Sequence, residues 1–186
     1  MIPTASDLSV LPPSFAVLYG RRCAGRVRVV LDESPVSVRD EVTNVLATFD
    51  RIDNVSANEL TTTLLRIIEL SADRRTWQWN GMYVVATISG CVYCMLAAIA
   101  LEESKADIWH EKIFGAASEV GKSSLSALEK IVPGSAVKRR LEKLLESDFR
   151  KLKALSMTKA TVEDLTEMLG PLWGEDGVPR KRGRSK

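Results

Sequence analysis

The sequence predicts an α+β fold, a small sheet packed against amphipathic helices with a predominantly helical C-terminal half. Three observations predict it. Cys23 to Leu31 reads CAGRVRVVL, in which Arg26 and Arg28 alternate with Val27 and Val29 at the period of a half-buried strand. Met82 to Tyr93 is β-branched and aromatic around Gly90, which suits one or two buried strands, with the choice between strand and helix left open over 82–94. Beyond residue 102, apolar residues recur by threes and fours, the spacing of amphipathic helices.

Composition sets the frame. The 186 residues fit one domain of ordinary size, and 45% hydrophobic with 27% charged residues is a globular mixture. The expected organisation is a flexible Pro-containing arm over 1–22, with Pro3, Pro12 and Pro13; a single globular domain over 23–172; and a disordered basic tail over 173–186. The net charge of +2 is uneven. Of 26 basic residues, five lie in the last seven positions (Arg180, Lys181, Arg182, Arg184 and Lys186), so 21 face 24 acidic residues over 1–179. Three cysteines are too few for a disulfide framework, which points to a reducing compartment. The first residues lack the basic and apolar regions of a secretory signal, and Ile2 stands where myristoylation needs glycine.

After a turn at Asp32 to Pro35, Ser37 is placed to cap a helix whose apolar face is Val38, Val42, Val45, Leu46, Phe49 and Ile52. Ser56 and Glu59 form a capping box for a second helix, with Leu60, Leu64, Ile67 and Ile68 on its apolar side, ending near Asp73 to Arg75. Asn80 to Leu101 then runs 22 residues without a charge. Its length suffices for a membrane span, and Trp77, Trp79 and Trp109 flank it as an interfacial belt would. Thr87, Ser89, two glycines and two tyrosines favour a buried core instead, and an interfacial segment is the third reading. Met95 to Leu101 is helix-forming. Ile108, Trp109, Ile113 and Phe114 share a helical face, interrupted by Gly115, Gly121 and Ser123-Ser124, and Leu125, Leu128 and Ile131 continue to Pro133-Gly134. Ser135 to Leu155 is the clearest helix, on Val137, Leu141, Leu144, Leu145, Leu152 and Leu155. Thr161 opens a last helix that stops at Gly170-Pro171.

The residues carry no recognisable reaction. His110 is the only histidine, in IWHEKIF, and HExxH is absent, so it reads as packing on a helix; a polar cleft around it would reopen the question of catalysis. Cys91 and Cys94 form a CxxC, but amid apolar residues rather than at a helix start, so core packing outweighs zinc or redox chemistry. GAASEVGKSS, from Gly115 to Ser124, misses the phosphate-loop spacing by one residue, and no cofactor is expected.

Contact surfaces remain. The 135–155 helix carries Lys138, Arg139, Arg140, Lys143, Arg150, Lys151 and Lys153 against Glu142, Glu146 and Asp148. This basic face is either a solvated helix side or a surface for nucleic acid, nucleoprotein or anionic lipid. The tail over 179–186 reads as a polyanion-binding patch, a nuclear-localisation signal for a host import receptor, or a solubilising end. Pro12, Pro13 and Phe15 approximate a PPxY docking segment, with Phe15 in place of tyrosine.

The order of these features resembles a rhabdovirus matrix protein. It runs from the Pro-Pro-x-aromatic arm (Pro12, Pro13, Phe15), through GRVRV at Gly25 to Val29 and the helix ending Phe49-Asp50-Arg51-Ile52, to LLRIIEL at Leu64 to Leu70. The likeness covers about residues 11–72. The family's arm usually has a lysine-rich stretch and an intact PPxY, both absent here, and its second half is usually strand-rich, whereas 102–169 reads helical. The resemblance implies a non-enzymatic virion protein that forms homo-oligomers and links a viral nucleoprotein–RNA complex to an anionic membrane during assembly. It would work in the host cytoplasm, at the inner face of host membranes and, through its tail, in the nucleus. Two alternatives are a single-pass membrane protein spanning about 80–101 and a small helical nucleic-acid-binding or regulatory protein.

Overall fold

The computed structural model describes residues 2–50, 55–72, 81–131, 135–158 and 162–173. Among these, helix is the only regular structure. The helices are α1 (Ala5–Leu8), α2 (Pro13–Arg26), a 3-10 helix (Val27–Glu33), α3 (Val36–Asp50), α4 (Ala57–Ala72), α5 (Met82–Ser104), α6 (Ile108–Ile131), α7 (Ser135–Leu155) and α8 (Val162–Leu169).

The expected sheet is therefore absent among the described residues, and the α+β reading is corrected to all-α. The alternation at 26–29 spans too few residues to fix a period. Over a longer window, Cys23, Val27, Val30 and Leu31 are buried at helical spacing, and Arg26 points inward while Arg28 is exposed. The second expected strand region is the first half of α5. There Val84, Val85, Ile88, Cys91, Val92 and Met95 are buried at steps of one, three and four. Tertiary packing of that buried stripe overrides the strand preference of its β-branched residues. Thr87 accommodates its buried hydroxyl by donating from Oγ1 to the carbonyl of Tyr83 at 2.7 Å.

α5 and α6 form an antiparallel hairpin joined at Lys105, and α2, α4 and α7 pack around it. The glycines and serines expected to interrupt 108–131 lie inside a continuous α6. Gly121 is small because Tyr19 crosses there: a Cβ at 121 would stand 3.0 Å from Tyr19 Oη. Gly90 serves the same purpose between α5 and α6, where a Cβ would meet Val120 Cγ2 at 2.9 Å.

The N-terminal residues expected as a flexible arm belong to the core. Thr4 and Asp7 make a reciprocal capping box on α1, and the Asp7 carboxyl is held below its ordinary range by the backbone hydrogen bond from Thr4. Ser118 Oγ of α6 donates to the Pro3 carbonyl at 3.1 Å. Leu8, Leu11, Phe15 and Tyr19 are buried, an apolar series whose spacing the prolines obscured. Pro13 sits at the first position of α2, where its missing N–H costs nothing.

At the other end, α7 and α8 keep the expected positions, and Gly170, at φ 71, stops α8. Trp173, expected as the first residue of the tail, is buried.

Candidate functional site: a groove, a hollow and a buried ionic strap

The sequence-predicted contact residues have diverse fates. Phe15 is buried on α2, and Pro12 and Pro13 start that helix. Docking them as an extended segment requires the first turn of α2 to open. On the basic face, Arg139 and Lys143 are exposed. Lys138 pairs with Glu129 at 2.6 Å, and Arg150 with Glu146 at 2.5 Å. Arg140 donates to the Trp173 carbonyl at 2.8 Å, and Lys151 to the Leu169 carbonyl at 3.2 Å. At least four of the seven cations thus have partners within the chain. The tail cations Arg180, Lys181, Arg182, Arg184 and Lys186 lie outside the described residues.

Asp148, counted with the solvent-facing acids of α7, is instead buried. It falls in register with Leu141, Leu145 and Leu152, and an acid on an apolar stripe is the sign that could have revealed it. Its partners are Arg22 and Arg26, one turn apart on α2. Arg22 Nε donates to Asp148 Oδ2 at 2.9 Å, and Arg26 Nη2 to the same oxygen at 2.6 Å. One carboxylate faces two guanidiniums, and backbone carbonyls supply further acceptors: Arg22 Nη1 donates to Gly170 O at 2.9 Å and Arg26 Nε to Leu172 O at 2.8 Å. With Arg140 and Lys151, four cationic side chains hold the carbonyls of Leu169, Gly170, Leu172 and Trp173. The C-terminal segment is a strap across α2 and α7.

Cys23, Cys91 and Cys94 are all buried and free, and burial pushes the Cys23 and Cys94 thiols up to about 12 and the Cys91 thiol well above its ordinary value. Such thiols are poor nucleophiles at neutral pH. No group of three or more His, Cys, Asp or Glu side chains converges as a metal site would require, among the described residues.

Two concavities flank the α5–α6 hairpin. The first is an open groove of about 760 Å³ between α4, α5 and α6. Ala86, Ser89, Gly90 and Tyr93 come from α5, Gly115 and Ala116 from α6, and Leu64 from α4, with Glu111, Lys112 and Glu119 also lining it. Leu65 and Ile68 of α4 are 57% and 54% exposed, and Tyr93 is 41% exposed. The groove has no signal in the sequence, because small residues leave no periodic signature of their own. The second is a hollow of about 540 Å³ where α2, the end of α5 and the start of α6 meet. His110 lies on its edge, 3.9 Å from Asp107 Oδ1, and its ring stands 6.4 Å from that of Phe114. Half of the residues that line the hollow are apolar, and among the described residues no hydrogen bond joins His110 to Ser14, which also lines it.

No family model, curated protein or solved structure matches the chain.

Proposed function

We propose that this protein is a non-catalytic helical interaction module that takes an amphipathic helix of a partner protein into the groove between α4, α5 and α6. One observation carries the reading. A helix long and apolar enough to cross a membrane is only 50% buried over its most apolar stretch, and it turns a row of small residues toward solvent. Ala86, Ser89, Gly90, Gly115 and Ala116 let another backbone come close, while Leu64 and Tyr93 offer apolar contact beside them. An amphipathic helix laying anchors at i, i+3 or i+4 and i+7 into such a groove is a recurrent mode of peptide recognition. Glu111 and Glu119 stand with Lys112 along the groove, so the rim suits a helix with a mixed-charge outer face.

The matrix-type reading drew on a basic strand, an exposed arm and a basic face; the first two are helical and packed into the core, and four cations of the face have partners within the chain, which favours the groove. A second copy of this chain is one source of such a helix.

Selection of displayed 16-residue amphipathic helices against the full chain tests the proposal. Enriched helices are expected to share one apolar face and to lose affinity by about tenfold or more against Ala86→Arg, which projects a charge into the groove. Lack of enrichment, or binders indifferent to Ala86→Arg, would overturn it.

The apolar α5 also favours a second reading, insertion into a bilayer after the bundle opens. Flotation with anionic vesicles distinguishes the two: retention of protein on the vesicles after carbonate washing supports insertion, and its absence sinks that reading.

A further inference from the structure

Beside the groove, α4 carries a second apolar surface that the bundle leaves uncovered. Leu60, Thr63 and Ile67 turn inward and are buried. Thr61, Leu65, Ile68 and Ala72 are all exposed, at steps of four, three and four. That spacing places them on one stripe, the seam of a helix that packs lengthwise against another helix. Leu65 and Ile68, 57% and 54% exposed, are its large members.

The stripe adjoins the groove, because Leu64 of the same helix lines it. A foreign helix answers the groove alone, whereas a second copy of the chain supplies a partner for both surfaces at once. The eleven residues lining the groove and the nine exposed residues of α4 reach the lower end of the roughly 20–30 residues a side that a stable interface needs. Charge agrees with this occupant. Arg66 of α4 pairs with Glu41 at 3.7 Å, and Glu119 on the rim with Lys122 at 2.7 Å, both within the chain. That leaves Glu69 on the outer face of α4 to meet a rim on which Glu111 stands beside Lys112, so Lys112 offers a cation and no like-signed field opposes the approach.

We infer that the protein forms a two-fold dimer in which α4 of each protomer is the helix that fills the groove of the other. The inference rests on the groove reading above and names its occupant. The two α4 helices lie antiparallel, and the contact closes on itself because each copy gives and receives the same helix. The middle of the stripe falls between Leu65 and Ile68, so the axis passes there: Leu65 meets the partner's Ile68, and Thr61 meets the partner's Ala72. Small side chains at both ends of the stripe, and at Ala86, Gly90 and Gly115 of the groove, let the backbones approach.

Sedimentation velocity of the full chain over a concentration series tests the inference. A reversible monomer–dimer equilibrium is expected. Ile68→Glu on the stripe and Ala86→Arg in the groove should each weaken the dimer by about tenfold or more. Both positions are exposed, so helix content by circular dichroism should match that of the unsubstituted chain. Mixed in equal amounts, the two variants should associate more tightly than either alone. The mixed pair keeps one complete contact, α4 of the Ala86→Arg protomer in the groove of the Ile68→Glu protomer. The inference falls if the chain stays monomeric at every concentration, if the dimer is indifferent to either substitution, or if mixing gains nothing. The groove itself is judged apart by the displayed helices: binders that are lost on Ala86→Arg but kept on Ile68→Glu uphold the groove even where the chain is monomeric.

Discussion

Arg26 Nη2 lies 2.6 Å from Asp148 Oδ2, and the two side chains, 122 residues apart in sequence, are both buried. With Arg22 on the same carboxylate, this contact ties α2 to α7 through an ionic centre shielded from water. Desolvation of such groups is expensive, and their value lies in the completeness of the set.

Removing the carboxylate alone should therefore be severe. Asp148→Ala leaves two buried guanidiniums facing each other, and a loss of about 3–5 kcal/mol is expected in urea unfolding. The triple replacement Asp148→Leu with Arg22→Met and Arg26→Met should recover a large share of that loss, since all three charges disappear together. A triple variant less stable than Asp148→Ala would show that the hydrogen bonds to the Gly170 and Leu172 carbonyls dominate instead.

The strap should be as important as its ionic anchor. Trp173 is buried, so Trp173→Ala creates a cavity and is expected to cost about 3–5 kcal/mol. The thermal midpoint measures it. An unchanged midpoint would mean that the bundle is complete without the strap.

Packing at Gly90 makes a sharper test of the α5–α6 contact. Gly90→Ala brings a Cβ to 2.9 Å from Val120 Cγ2 and should destabilise by about 1–3 kcal/mol through overpacking. Val120→Ala removes the opposing methyls, so the double variant should be less destabilised than the two single losses combined predict. Strict additivity would contradict this close approach of the helices.

Alkali should expose the buried thiols. Cys23 and Cys94 are pushed up to about 12 by burial, and an unfolded thiol ionises near pH 8.5. The folded protein therefore retains protons that the unfolded chain releases. The stabilisation is fully present below about pH 8.5 and declines as pH rises toward about 12. Urea midpoints between pH 8 and pH 11 should fall steadily, and at pH 8 a disulfide reagent should label the native thiols far more slowly than those of the unfolded chain. Rapid labelling of the native state would place at least one thiol within reach of solvent.

Much of the helical half was legible because long amphipathic stripes carry their own period. The bounds of α7 follow from its leucines, and Gly170 ends α8 as its conformation requires. The errors arose where the pattern was short or saturated. Four alternating residues at 26–29 could not show that Arg26 turns inward, because its partner Asp148 is remote in sequence. In α5, nearly every residue is apolar, so the period that separates helix from strand vanishes and β-branching misleads. Ser37, expected as a cap, lies one residue inside α3, which starts at Val36 after Pro35. The groove and the hollow were illegible for another reason: each is assembled from three helices, and the residues that shape them are small or isolated in sequence.

The strap also has a consequence for synthesis. Arg22 and Arg26 emerge from the ribosome more than a hundred residues before the groups that neutralise and bind them, at Asp148, Gly170 and Leu172. Until those groups are made, α2 carries two cations that cannot enter a core without a partner, so its apolar face stays unsettled. Contacts of such long sequence separation delay folding. The native bundle thus waits for the strap, and a polypeptide cut short before Asp148 should be left open to proteases rather than fold into a smaller version of the same protein.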